Sequence, residues 1–130
     1  MRALIVDDDE EILEMLTTYV RVQGFEVFAA LDAKAAMELF LAHKPDLVLL
    51  DVMLPGKDGL TLLKEMKAIS DLPKYVMVTA YKGAEKVVKA YRNGAVDCIL
   101  KPIDWDYLGK LIKRVKDDGA EVSEPERLHP

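Results

Sequence analysis

Short apolar runs alternate along this chain with longer stretches of helical periodicity, and this alternation constrains the fold more than any other feature. The apolar runs predict five strands, at residues 3–6, 25–29, 47–50, 75–78 and 96–100. The stretches between and after them predict five helices, at residues 10–22, 33–43, 59–68, 84–92 and 105–116. Because the runs lack polar alternation, they are typical of a parallel sheet covered by helices on both faces. The sequence therefore predicts an α/β fold, a doubly wound (βα)5 unit.

Size and charge narrow the class of protein. The 130 residues suffice for one domain, predicted at residues 1–118, and the polar residues 119–130 predict a tail or a truncated linker. The net charge of −5 argues against direct nucleic-acid binding, which needs clustered basic residues. The single cysteine excludes an internal disulfide, and no apolar run is long enough for a signal peptide or a membrane span. We expect a cytoplasmic protein that does not contact membranes.

Unusual polar residues stand where predicted strands end. Asp7 and Asp8 follow the first strand, Asp51 follows the third, Thr79 ends the fourth and Lys101 follows the fifth. The carboxyl ends of parallel strands lie at one edge of the sheet, where ligands bind at a topological switch point. If the strand order is 2-1-3-4-5, the three aspartates converge in one pocket and the other two residues flank it.

Such a group of charges favours a specific chemistry. Carboxylates about 4 Å apart repel by about 4 kcal/mol per pair at an effective dielectric near 20, so a hard cation is the natural counterweight. Mg²⁺ binds carboxylates together with a phosphate oxygen. One aspartate then remains as a nucleophile toward a phosphoryl donor, with Lys101 neutralising charge and the Thr79 hydroxyl contacting the transferred group.

Four segments in this order resemble the receiver domains of two-component response regulators: LIVDDDEE, LVLLDVMLPGKDG, VMVTAYK and CILKP. The resemblance covers residues 2 to about 116 and implies a flavodoxin-like sheet with strand order 2-1-3-4-5. It implies that Asp51 is the phosphoacceptor and that Thr79 and Lys101 assist it. It also implies that Asp7, Asp8, Asp51 and the Met53 carbonyl hold Mg²⁺, and that the peptide bond before Pro102 is cis.

The same resemblance implies the partners. The phosphoryl donor is a sensor histidine kinase or a phosphotransfer protein, and the target is a downstream output domain or protein. The chain would be no enzyme beyond its own phosphoryl transfer and dephosphorylation. The resemblance also allows a homodimer through the face of the fourth helix, fifth strand and fifth helix. Candidate contact residues on this face are Tyr91, Trp105 and Tyr107.

One position departs from the family. The residue three before the strand-5 lysine is commonly Tyr or Phe and takes part in switching, whereas here it is Cys98. Signalling is therefore expected to depend on Thr79 and residues 80–83, with Tyr81 or Tyr91 in place of the aromatic residue. Met53 and Tyr81 also occupy positions that tune dephosphorylation in the family.

Simpler explanations compete with these assignments. Asp7, Asp8 and Asp9 precede a predicted helix and are all suited to capping it, which explains Asp9 best. Taken singly, Thr79 fits a strand end and Lys101 a solvated surface. A phosphorylation-independent interaction module is the main alternative function. A dehalogenase-type phosphatase would need Asp7 and Asp9 as its motif, and a flavodoxin-like cofactor binder lacks the phosphate loop that it needs.

Overall fold

The computed structural model describes residues 1–80 and 83–120. Its elements, in chain order, are β1 (Arg2–Val6), α1 (Glu10–Val22), β2 (Glu26–Ala30), α2 (Ala33–His43), β3 (Leu47–Leu50), α3 (Gly59–Ile69), β4 (Lys74–Thr79), α4 (Ala84–Arg92), β5 (Ala95–Leu100) and α5 (Trp105–Ala120). The alternation of strands and helices is as predicted. Most boundaries agree with the sequence to within one residue, because the apolar runs and capping residues that define them are local signals.

All neighbouring strands pair in parallel, in the order β2-β1-β3-β4-β5. The predicted strand order and fold class are thus confirmed. In this register Val6 of β1 pairs with Ala30 on one side and Leu50 on the other. The chain segments after β1 and β3 therefore leave the sheet side by side.

The core forms two layers, one on each face of the sheet. One cluster packs residues such as Leu4, Val48 and Met77 against α2, α3 and part of α4. The other packs Ile5, Leu49 and Val76 against α1 and α5. Neighbouring residues of one strand point to opposite faces, so a strand covered on both sides must be apolar throughout. This requirement explains the continuous apolar runs of β1, β3 and β4.

The α5 helix confirms the expected core stripe but ends later than predicted. Leu108, Leu111, Ile112 and Val115 are buried, as their helical spacing predicted. The helix continues to Ala120 rather than ending at Lys116, so it includes the first two residues of the predicted tail. The rest of that tail, residues 121–130, lies outside the described residues.

Aspartates cap four of the helices, and the one before α5, Asp104, accepts a hydrogen bond from the Tyr107 N–H. The Asp9 carboxylate accepts hydrogen bonds from the backbone N–H groups of Glu11 and Ile12, as expected of the residue that caps α1. Asp32 and Asp58 cap α2 and α3 in the same manner. No helix among the described residues is long and apolar enough to cross a membrane.

Candidate functional site

Three aspartates meet where β1 and β3 end. Each of Asp7, Asp8 and Asp51 offers a carboxylate oxygen, and these oxygens all lie within 4.8 Å of one another. Asp7 and Asp51 are buried, whereas Asp8 is exposed. The structure therefore brings together the three residues that the sequence placed at this edge of the sheet.

Lys101 closes the pocket from the end of β5. Its Nζ lies 2.7 Å from Asp7 Oδ2 and 3.1 Å from Asp51 Oδ2. The lysine side chain is only 16% exposed, so these ion pairs are shielded from solvent and salt. The Lys101–Pro102 peptide bond is cis, as the resemblance implied.

Backbone groups fix the two buried carboxylates. The Asp9 N–H donates to Asp7 Oδ1 over 2.9 Å, and the Met53 N–H donates to Asp51 Oδ1 over 3.0 Å. The other oxygen of each carboxylate faces Lys101. Each carboxylate is thus held at one oxygen by the chain that follows it and leaves the second oxygen toward the pocket.

Burial and charge oppose each other in the pKa values of this group. Desolvation raises the pKa of Asp7, and the Asp51 charge adds to the rise, while the Lys101 contact and the Asp9 N–H lower it in part. Burial lowers the pKa of Lys101, but its hydrogen bonds and ion pairs with Asp7 and Asp51 outweigh this, and the net pKa is raised. Lys101 therefore stays protonated at neutral pH.

The donor set fits a hard divalent cation. Among the described residues, three carboxylates face one lysine, which leaves excess negative charge in a pocket of oxygen ligands. Mg²⁺ prefers oxygen ligands of this kind and usually retains several waters. The acidic pocket can therefore bind a metal ion.

Thr79 and Met53 border the pocket. Thr79 is buried at the end of β4, and its carbonyl accepts a hydrogen bond of 2.8 Å from the Lys101 N–H. Thr79 and Lys101 are thus joined through the backbone. Met53 is 56% exposed at the mouth of the site. Tyr81, predicted to act near this loop, lies outside the described residues.

The structure corrects the predicted aromatic surface. Tyr91 and Tyr107 are exposed on α4 and α5, as expected, but Trp105 is half-buried and packs against Tyr19 of α1 with the ring centroids 5.0 Å apart. The Tyr19 hydroxyl also donates to the Trp105 carbonyl. Trp105 therefore belongs to the contact between α1 and α5 and offers little area to a partner at the α4–β5–α5 face.

Sequence reasoning missed the tight packing behind Asp51. A Cβ placed on Gly59 would lie 2.0 Å from the Asp51 carbonyl oxygen and 2.8 Å from Val52 Cα, so only glycine fits there. The preceding residue, Asp58, caps α3 and forms an ion pair of 3.3 Å with Lys86 of α4. An Asp-Gly pair in a sequence indicates only a turn, because nothing in the local sequence shows what packs against it.

Comparison with known proteins identifies the family. Residues 3–113 match the response regulator receiver domain. The chain belongs to this family. The match includes residues of every strand and all six predicted site residues, and the acidic pocket agrees with a phosphoacceptor role.

Individual relatives differ in how much of their length the receiver matches. It is 38% identical over 128 residues to regulatory protein AtoC of Escherichia coli, covering 98% of this chain but 28% of that protein. It is 33% identical over 113 residues to sporulation initiation phosphotransferase F of Bacillus subtilis, covering 87% of this chain and 91% of that one. The chain thus spans about a quarter of one relative and most of the other.

A crystal structure shows the same architecture. The receiver domain protein (CheY-like) from Methanospirillum hungatei JF-1 superposes with a TM-score of 0.84 at 31% identity. The superposition covers 92% of this chain and 96% of that one. The receiver is therefore a response-regulator domain of two-component signalling by both sequence and fold.

Proposed function

We propose that this receiver is a cytoplasmic switch that accepts a phosphoryl group on Asp51, with Mg²⁺, from a sensor histidine kinase or a phosphotransfer protein. The observation that carries the proposal is the position of the Asp51 carboxylate. This carboxylate is buried, and its Oδ2 lies 3.1 Å from Lys101 Nζ, in one cluster with Asp7 and Asp8. Catalysis would be limited to the domain's own phosphoryl transfer and dephosphorylation.

The residues have distinct roles in this transfer. Asp7, Asp8, Asp51 and the Met53 carbonyl would hold the ion. When bound, Mg²⁺ supplies positive charge next to the phosphoryl oxygens. The Met53 N–H orients Asp51 through Oδ1, so that Oδ2 forms the new bond to phosphorus as the phosphorus–nitrogen bond to the donor histidine breaks.

Lys101 and Thr79 respond to the added charge. Lys101 now pairs with two carboxylate oxygens, and a phosphoryl group on Asp51 would offer its ammonium a more highly charged partner. The Thr79 hydroxyl, at the neighbouring strand end, would donate a hydrogen bond to a phosphoryl oxygen. These two movements convert phosphorylation into a change of shape next to β4 and β5.

The output of this switch is a proposal as well. Large apolar side chains are exposed around the edge strand, and this output face comprises Val88, Tyr91, Val96, Leu100 and Tyr107. They lie on α4, β5 and α5, where a downstream domain, a separate protein or a second copy of the receiver would bind. Light scattering before and after phosphorylation distinguishes a dimer from a monomer that binds another protein.

A mass measurement tests the phosphoacceptor. The protein is incubated with acetyl phosphate, with and without Mg²⁺, and its intact mass is determined. We expect one Mg²⁺-dependent phosphoryl adduct in the wild type and in the control Asp71→Asn, which neutralises an exposed aspartate far from the pocket. The adduct should be lost in Asp51→Asn. No adduct in the wild type under any condition would support the phosphorylation-independent module instead.

A further inference from the structure

The α4 helix is weakly anchored to the rest of the receiver. Of its nine residues, all of them described, Ala90 alone is buried, and no side chain caps its N-terminus at Gly83. By comparison, α3 buries five residues and begins with a capping aspartate. Short helices depend on packing for their stability, so polar contacts have a large share in holding α4 in place.

One carboxylate provides such a contact at the C-terminal end of α4. The Tyr91 hydroxyl of α4 donates to Asp97 Oδ1 over 3.1 Å, and the Tyr107 hydroxyl of α5 donates to Asp97 Oδ2. Asp97 lies on β5 and also accepts the backbone N–H of Cys98 over 2.8 Å. A single side chain therefore joins three consecutive elements of the output face.

We infer that Tyr91, Asp97 and Tyr107 form a latch that holds α4 against β5 and α5 in the unphosphorylated receiver and opposes phosphorylation of Asp51. The coupling half of this inference rests on the proposed function. In this receiver, where Cys98 replaces the usual aromatic residue, the three latch residues would transmit the phosphorylation state of Asp51 to the output face.

The latch is connected to the site through β5. Asp97 and Lys101 lie four residues apart on this strand and its continuation, and Lys101 is hydrogen-bonded through its backbone to Thr79. A shift of Lys101 toward a phosphoryl group would therefore act on the strand that carries the shared carboxylate. Cys98, next to Asp97, is half-buried and packs against the core beneath α4.

The N-terminal half of α4 is connected to the site through α3. Lys86 pairs with Asp58, and Asp58 caps α3, whose first residue packs on the Asp51 carbonyl. Each end of α4 is therefore tied to a segment that continues to a neighbour of the phosphoacceptor: Asp58 is followed by Gly59, and β5 leads from Asp97 to Lys101. A change at Asp51 reaches the helix from two sides, while little apolar packing resists its movement.

The two phenols keep their protons in this arrangement. Burial and the Asp97 charge raise the pKa of Tyr91. The hydrogen bond to Asp97 is the main cause of the raised pKa of Tyr107. Both hydroxyls therefore remain donors across the neutral range, and the latch is present whenever α4 occupies this position.

The test removes two hydroxyls and leaves both rings. We compare the wild type with the double variant Tyr91→Phe/Tyr107→Phe. This variant keeps the apolar area of both rings and the hydrogen bond from the Cys98 N–H to the Asp97 carboxylate. The control is Tyr19→Phe, which removes a hydroxyl bonded to the Trp105 carbonyl on the opposite side of α5. Amide hydrogen exchange of α4 is measured without phosphorylation, and the rate of adduct formation is measured with acetyl phosphate and Mg²⁺.

We expect α4 of the double variant to exchange about five-fold faster than the wild type, the effect of losing about 1 kcal/mol of hydrogen bonding. Phosphorylation should accelerate by a similar factor, because the lost bonds stabilise only the unphosphorylated arrangement. The control should change neither quantity. In both assays the comparison is with the same wild-type preparation.

Each failure has a separate meaning. Unchanged exchange of α4 overturns the latch itself. Faster exchange with an unchanged phosphorylation rate overturns the coupling, since the contact would then be structural only. If the wild type gives no adduct, the proposed function fails and the coupling fails with it. The exchange of α4 needs no phosphorylation, so it still decides whether the latch holds the helix.

Discussion

Replacing Gly59 with alanine should displace the phosphoacceptor through simple overlap of atoms. The added carbon would lie 2.0 Å from the Asp51 carbonyl oxygen, where ordinary van der Waals contact begins at 3.4 Å. The Val52 Cα is also too close, at 2.8 Å. Since both obstacles are backbone atoms, no side chain can rotate away. The start of α3 and the chain after β3 must separate by more than an ångström.

The cost follows from this overlap. Overpacking a closely packed interior costs about 1–3 kcal/mol, and a clash with backbone belongs at the upper end, about 3 kcal/mol. For a domain of this length, each kcal/mol lowers the melting temperature by about 3–4 °C, so we expect a decrease of about 10 °C. A displacement of this size next to a reacting group can slow the reaction by about 100-fold.

The matched control is Gly56→Ala. A Cβ on Gly56 meets nothing within 4 Å, but its φ of +80° is unfavourable for alanine. This variant should lose only about 1 kcal/mol, or about 3–4 °C, and keep its phosphorylation rate. Melting is followed by circular dichroism, and adduct formation by intact mass. A Gly59→Ala protein that melts and phosphorylates like the wild type would refute the steric argument.

Three further changes have definite expected outcomes. In urea titrations, Asp9→Ala should lose about 1 kcal/mol of stability with its helix cap, whereas Asp8→Ala should lose none; equal losses would contradict the capping assignment. Because the pKa of Asp7 is raised in the folded state, its ionised form destabilises the metal-free protein, and this penalty grows as pH rises from 3.8 through the folded pKa. Asp7→Asn should therefore melt higher than wild type in EDTA at pH 7 and gain no further stability from Mg²⁺; a lower melting temperature would contradict this. Burial and the Asp97 charge raise the pKa of the Cys98 thiol, so iodoacetamide at pH 8 should alkylate it at least about ten-fold more slowly in the folded protein than in urea, as mass spectrometry would show.

The sequence predicted the fold well because its strongest signals are local. Strands buried on both faces must be apolar throughout, so β1 and β3 are apparent without any structure. The prediction is weaker for β5, which is apolar apart from Asp97 but lies at the sheet edge. Its Val96 and Leu100 are 47% and 44% exposed, and only the order of the strands shows this.

The meeting of the aspartates could be predicted for a topological reason. Parallel strands bring their carboxyl ends to one edge, so residues directly after the neighbouring strands β1 and β3 must be close. The long Lys101 side chain can reach them from the end of β5. The separation of Asp9 from Asp7 and Asp8 was also predictable, since a capping residue stands directly before its helix. Their chemical roles remain predictions.

Contacts between side chains away from the carboxyl ends of the strands could not be predicted. The Asp97 carboxylate serves two tyrosines that are six residues before it and ten after it, on helices whose rotation the sequence does not fix. Trp105 was assigned to the wrong face for the same reason: both faces of α5 carry aromatic residues. The lack of space for a side chain at Gly59 likewise depends on the distance between the start of α3 and the chain after β3.

The small core contribution of α4 also bears on how such receivers diversify and can be redesigned. Substitutions at exposed positions away from the core usually change stability by less than about 0.5 kcal/mol. Eight of the nine positions of α4 lie outside the core, so many sequences there are compatible with the same folded domain. New recognition specificity can accumulate on this helix while the buried strand ends preserve the chemistry. A library randomised on α4 outside Lys86, Ala90 and Tyr91 should therefore yield mostly folded receivers with altered binding preferences.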